Sequence, residues 1–258
     1  MRLMKRILSA AAVLALSASL LVGCSSGTAS SVPVSASSAA ESTVSSVEET
    51  ASSAVDENEA AAAQLLNDLT GSYQELWPVI LADEYKQTWL DDCTALVGED
   101  NAEAAFEKLS SMVTSDVYGE DAVKAYANGG GAYFCGFTNS LAILTFDGET
   151  STISGTDKDG NVLFSHTYHY IGMEPVRGLY EFQSDDADSG EFTYFFLAPD
   201  TSAETYHIEF RYGSDAEALS QYDTGEYAYW LASGISTDCD QTMIDNCIEL
   251  FCTENLAG

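Results

Sequence analysis

The chain has 258 residues, of which 41 are acidic and nine basic, giving a formal net charge of −32. A polyanion of this kind repels nucleic acid and anionic lipid headgroups, so neither is read as a ligand. With 46% hydrophobic residues, 14 Tyr, 11 Phe and 3 Trp, it has the apolar content of a folded core, so full-length disorder is excluded too.

Residues 1–23 read as a signal peptide. Arg2, Lys5 and Arg6 form a positive n-region, and residues 7–22 form an apolar h-region interrupted only by small residues. The segment ends Leu21-Val22-Gly23-Cys24, which resembles the bacterial lipobox. That resemblance implies cleavage before Cys24 and acylation of Cys24. The expected location is therefore extracytoplasmic, lipid-anchored to the bacterial cell membrane. At about 0.8 kcal/mol per buried methylene, two or three acyl chains hold a soluble domain there durably. Residues 24–57 read as a disordered Ser/Ala-rich tether. From Ser25 to Asp56 there is no aromatic residue and no positive charge, so too little apolar surface exists to offset the entropy of ordering.

Residues 58–258 suit one domain, with 58–128 helical and 129–258 a β-barrel followed by a C-terminal helix. Residues 59–69 are Ala-rich, and Thr70-Gly71-Ser72 breaks that helix. Leu76, Trp77, Ile80 and Leu81 form the next apolar stripe. Asn101 is expected to cap a helix over 102–113 that buries Ala105, Phe106, Leu109 and Met112.

After Gly129-Gly130-Gly131 the period becomes two. Strands are predicted over 141–146, 150–154, 162–170, 176–182, 192–197 and 206–212. Asp147-Gly148 and Asp159-Gly160 punctuate the first of them as hairpin turns, the second expected to be type I′. Asp157 to Asn161 superficially resembles a calcium loop but lacks its helical flanks and final Glu. Tightly turned antiparallel strands in succession predict a lipocalin-like up-and-down barrel. A capping box at Asp238 and Gln241 starts the closing helix, whose stripe is Met243, Ile244, Cys247, Ile248 and Phe251.

The stretch from Glu191 to Gly213 carries the most chemistry. Two strands flank Pro199 and the turn-forming residues Asp200 to Glu204. On the second strand Thr205, His207, Glu209 and Arg211 share one face, with Tyr206, Ile208, Phe210 and Tyr212 on the other. His207 and Glu209 at i, i+2 can both reach one cation. Without Cys24 the cysteines are Cys93, Cys135, Cys239, Cys247 and Cys252. Their odd number allows one disulfide joining the C-terminal segment to the body, its pairing open. No CxxC spacing is present, which argues against a thiolate zinc site or a redox motif.

Several strings resemble the ZinT family of calycin-fold zinc-binding domains. They are Leu69-Thr70-Gly71-Ser72-Tyr73-Gln74-Glu75-Leu76-Trp77-Pro78, Tyr168-His169-Tyr170-Ile171-Gly172, Val176-Arg177-Gly178-Leu179-Tyr180-Glu181, the hairpin from Phe192 to Gly213, and Glu226-Tyr227-Ala228-Tyr229-Trp230. The resemblance spans Leu69 to Leu256. It implies zinc held by three His near the barrel mouth, with a metal ABC transporter as partner. Counting from Ala198-Pro199 places Phe195 at the first ligand position. Counting from Gly213 places His207 and Glu209 at the other two; alignment on His207-Ile208 makes them Thr205 and His207 instead. The ligand set is thus reduced, and the possible additional ligands are His166, His169 and Tyr194. His166 and His169 are three apart on a strand and face opposite sides.

No nucleophile elbow, His-Glu-x-x-His or phosphate loop is present, so the reading is a binding protein and not an enzyme. Two functions compete. One is a membrane-anchored lipoprotein that binds a divalent metal, zinc first, for buffering or uptake. The other is a calycin barrel that has lost its metal and takes a small apolar or aromatic molecule.

Overall fold

The computed structural model describes residues 57–129, 133–198 and 207–257. The signal peptide, most of the tether, Pro199 and the Asp200–Glu204 turn lie outside the described residues.

Eight strands form one closed barrel in which every strand pairs antiparallel with its sequence neighbours. They are β1 (Gly71–Glu75), β2 (Ile143–Asp147), β3 (Thr152–Thr156), β4 (Val162–Met173), β5 (Tyr180–Ser184), β6 (Tyr194–Leu197), β7 (His207–Gly213) and β8 (Ala232–Ser236). β1 closes against β8 through Tyr73↔Ser236, Gln74↔Ile235 and Glu75↔Gly234. This is a lipocalin-like up-and-down barrel, with a short helix, α6 (Ala216–Leu219), between β7 and β8 and a longer one, α7 (Gln241–Leu256), after the last strand.

The helical segment expected over 58–128 is interrupted. Gly71–Glu75 is strand β1, and α2 (Leu76–Ile80), α3 (Lys86–Val97), α4 (Glu99–Met112) and α5 (Glu120–Ala127) form an excursion between β1 and β2. Five residues are too few to show alternation beside a helix, yet Tyr73 points inward while its neighbours Ser72 and Gln74 are half-exposed. Strand β8 was likewise not predicted. Its Ala232-Ser233-Gly234 carries no bulky β-former, and it is held as a strand by β7 on one side and β1 on the other.

Local start signals also shift. Helix α4 begins at Glu99, so Asn101 lies inside it and its Nδ2 donates to Val97 O at 3.0 Å. The cap of α7 is Asp240, whose carboxylate accepts from Met243 N at 3.0 Å, two residues beyond the expected Asp238. The Asp157–Asn161 turn is not type I′. Only Gly160 has positive φ, and the Asp157 carboxylate accepts from Asp159 N and Asn161 N, giving a type I turn closed by a left-handed glycine.

Two apolar clusters result. The first fills the barrel with Phe146, Phe164, Phe182, Phe195, Phe210 and Tyr212, and includes Ala62, Leu65, Leu66 and Leu69 from the first helix, α1 (57–68), and the turn after it. Those four stand at i, i+3, i+4 and i+7, one helical stripe. The second joins α2, α3, α4 and α7 to Ile235 on the outer wall of β8. Helices α2, α3, α4 and α7 therefore form a layer against the outside of the barrel at β8.

Candidate metal site

The faces of β7 are fixed by its pairing. Phe195 lies opposite Tyr212 and Leu197 opposite Phe210, and all four are buried in the barrel cluster. Alternation then turns His207, Glu209 and Arg211 to the outer wall, where His207 pairs with Ile235, a member of the outer cluster. The resemblance implied that Phe195 stands where a ligand would join His207 and Glu209. The register puts it on the opposite face of the sheet.

Phe195 is fully buried among rings, with centroids 5.4 Å from Tyr168, 5.8 Å from Phe164 and 5.4 Å from Tyr212. Phe192 stacks on Phe164 at 3.9 Å. These aromatic residues thus pack on one another. A small apolar molecule between them would first have to displace these contacts.

On the outer wall His207 and Glu209 open onto a crevice of about 60 Å³. Its floor is Leu76, Trp77 and Ile80 of α2, and its far side is Cys247, Leu250, Phe251 and Glu254 of α7. The α7 residues stand at i, i+3, i+4 and i+7, so one helical face presents a thiol and a carboxylate to the strand pair. The space suits an ion with a few waters and is far below the roughly 300 Å³ of a drug-sized ligand pocket. Burial, with Cys239, Glu254 and Glu209 nearby, pushes the Cys247 thiol up to about 12. It is therefore protonated at neutral pH and would need a cation to become a ligand.

The other predicted ligands stand apart from this crevice. His166 and His169 do face opposite sides of β4, half-buried and exposed respectively. His166 Nδ1 bonds Asp186 at 2.7 Å, and His169 Nδ1 bonds Asp185 at 2.6 Å. Three strand spacings, about 14 Å, separate β4 from β7. Tyr194 pairs with Gly213, six residues along β7 from His207, about 20 Å away. Among the described residues no three His, Cys, Asp or Glu side chains converge closely enough to hold a metal ion. The crevice has the donor types for zinc but not a closed four-ligand shell.

Glu254 was not singled out from the sequence. Its signal was present as the one acidic residue continuing the Cys247, Leu250, Phe251 stripe of the last helix.

Beyond this wall the residues after β7 are tied down by Arg211, which is fully buried. Its guanidinium donates to the carbonyls of Leu219, Gln221 and Tyr227 and lies 4.3 Å from the Tyr222 ring centroid.

These features define a closed eight-stranded antiparallel up-and-down barrel, with a helical layer on its outer wall and between them a crevice lined by both polar and apolar side chains. The fold is similar to the Zn(II)-bound ZinT-like domain of Streptococcus pneumoniae AdcA, at 15% identity and a TM-score of 0.45, over 71% of this chain and 89% of that one. It is also similar to Zn(II)-bound AdcA from Streptococcus pneumoniae, at 14% identity and a TM-score of 0.43, over 72% of this chain and 35% of that one. No protein-family profile matches the chain. No curated protein sequence matches it either.

Proposed function

We propose that the protein is an extracytoplasmic, lipid-anchored binder of a divalent metal ion, zinc first, acting as a buffer or as a donor to a metal ABC transporter. The observation that carries this reading is the crevice in which His207 and Glu209 of β7 face Cys247 and Glu254 of α7. His207 would supply an imidazole nitrogen and Glu209 a carboxylate oxygen. With fewer than four protein ligands, water completes the shell, so binding is weaker and faster to exchange than at a structural zinc site. Exchangeable binding suits a carrier. The acidic surface adds a field that concentrates cations without selecting among them. The metal's identity rests on the motif resemblance to the ZinT family, and the anchor on Leu21 to Cys24.

Zinc titration by calorimetry of the full chain tests the site, beside a His207→Ala, Glu209→Ala variant whose fold is verified by circular dichroism. Stoichiometric binding lost in the variant supports the reading. Absence of binding, or binding indifferent to the two substitutions, overturns it. The anchor is tested separately: Cys24→Ser should abolish fatty-acid incorporation and release the protein from the membrane fraction.

A further inference from the structure

Helix α3 and helix α7 each bring a cysteine to their contact. Cys93 and Cys252 are fully buried, lie 159 residues apart in sequence, and have their Sγ atoms 3.9 Å apart. Both belong to the outer cluster, with Trp89, Leu109 and Ile248. A disulfide holds its sulfurs at about 2.05 Å, so about 2 Å remains to be closed, a distance within reach of a modest side-chain rotation on either helix.

We propose that Cys93 and Cys252 form a disulfide that fastens the C-terminal helix to the helical layer. The oxidant is an exchanging disulfide, R–S–S–R, of the low-molecular-weight or thiol-oxidase class found in oxidising compartments. The thiolate of one cysteine attacks a sulfur of R–S–S–R and expels R–S⁻, leaving a mixed disulfide. The second cysteine, losing its proton, then displaces the other R–S⁻. Both cysteine sulfurs are oxidised, the oxidant is reduced to two R–SH, and the two cysteine protons leave on those products.

Timing follows from the packing. Burial raises both thiols, and no solvent reaches either sulfur in the docked helices. Exchange therefore belongs to the chain before α7 docks, and the packed cluster then shields the bond from reduction. The bond also bears on the crevice. Glu254 and Phe251 flank Cys252 on α7, so fixing that helix fixes the wall facing His207 and Glu209. The pairing is independent of whether that crevice holds a metal.

The full chain is refolded with glutathione disulfide, alkylated without reduction, digested with pepsin and sequenced by mass spectrometry. The expected result is a Cys93 peptide joined to a Cys252 peptide, with Cys135, Cys239 and Cys247 alkylated. Recovery of Cys93 and Cys252 both alkylated, or joined elsewhere, overturns the proposal. Cys93→Ser and Cys252→Ser give a second readout. Each should lower the melting temperature of the oxidised protein by roughly 5–15 °C, to that of reduced wild type, with the double variant no lower. If reduction leaves the wild-type melting temperature unchanged while the serine variants still melt early, the cysteines contribute packing alone and the proposal fails.

Discussion

Arg211 lies 4.3 Å from the ring centroid of Tyr222, and on that same ring Arg177 lies at 4.7 Å. Beyond Arg2 and Arg6 near the N-terminus, these are the chain's only arginines. Tyr222 bonds Glu174 at 3.4 Å, and Glu174 in turn accepts from Val176 N and Arg177 N. The stack ties β7 and the loop after it to the β4–β5 turn. Arg211→Ala leaves three carbonyls without their donors and a cavity behind them, and should cost about 3–5 kcal/mol in urea unfolding. Arg211→Lys should recover little of this, because an ammonium lacks the fork that reaches several carbonyls at once.

Stability should fall as pH rises through the weakly acidic range. On α3, burial beside Glu249, Asp245 and Asp91 pushes the Asp92 carboxyl up to about 6, and its Oδ2 has no hydrogen-bond partner. A folded pKa above the unfolded value of about 3.8 means the native state binds the extra proton. This contribution is greatest below pH 4 and is lost between pH 4 and 6. Asp92→Asn should raise the melting temperature at pH 7 by roughly 2–5 °C and flatten that part of the pH profile. An unchanged profile in the variant would assign the dependence elsewhere.

Gly148 should not tolerate a side chain. A Cβ there would stand 2.4 Å from Asn67 Cα and 2.6 Å from Leu66 O, both backbone atoms of α1. Gly148→Ala must push α1 off the barrel or distort the β2–β3 turn, at about 2–3 kcal/mol by chemical denaturation. Faster amide exchange in residues 62–69 would identify α1 as the element that moves.

Placing a histidine at Phe195 should not improve zinc binding. Phe195 faces the barrel interior and His207 the outer wall, so Phe195→His adds an imidazole on the wrong side of the sheet. Calorimetry should show affinity within about twofold of wild type, together with a stability loss of about 2–4 kcal/mol from replacing a packed ring by a polar one. A tenfold or greater gain would contradict the assigned faces.

The contrast between Asp159-Gly160 and Gly71–Glu75 shows what was legible in the sequence. Turn chemistry and alternation are local, so β2 to β4, β6, β7 and both early hairpins could be read directly, whereas β5 starts at Tyr180 and not at Val176, because Val176 and Arg177 form a turn whose amides donate to Glu174. Strands β1 and β8 have little signal of their own and exist because closing the barrel requires them to pair with each other. The same limit governed the site. Alternation separated His207 and Glu209 from Ile208 and Phe210 correctly, but which face pointed inward depended on the helices covering the outside. Those helices bury Ile235 and leave room for Cys247 and Glu254, an arrangement that no spacing within Glu191–Gly213 could reveal.

The seam between β1 and β8 has a consequence for how the molecule is made. Its paired residues are about 160 positions apart, so the pairing that abolishes both sheet edges needs nearly the whole domain. A chain emerging N-terminal end first from a ribosome or a pore cannot complete the barrel until Ser236 is free. Until then β1 and β7 expose unpaired backbone, and the apolar stripe of the first helix has no closed barrel to pack against. Association with a neighbouring copy would occur in that interval, and it is the final tens of residues, rather than the hairpins formed earlier, that end the exposure.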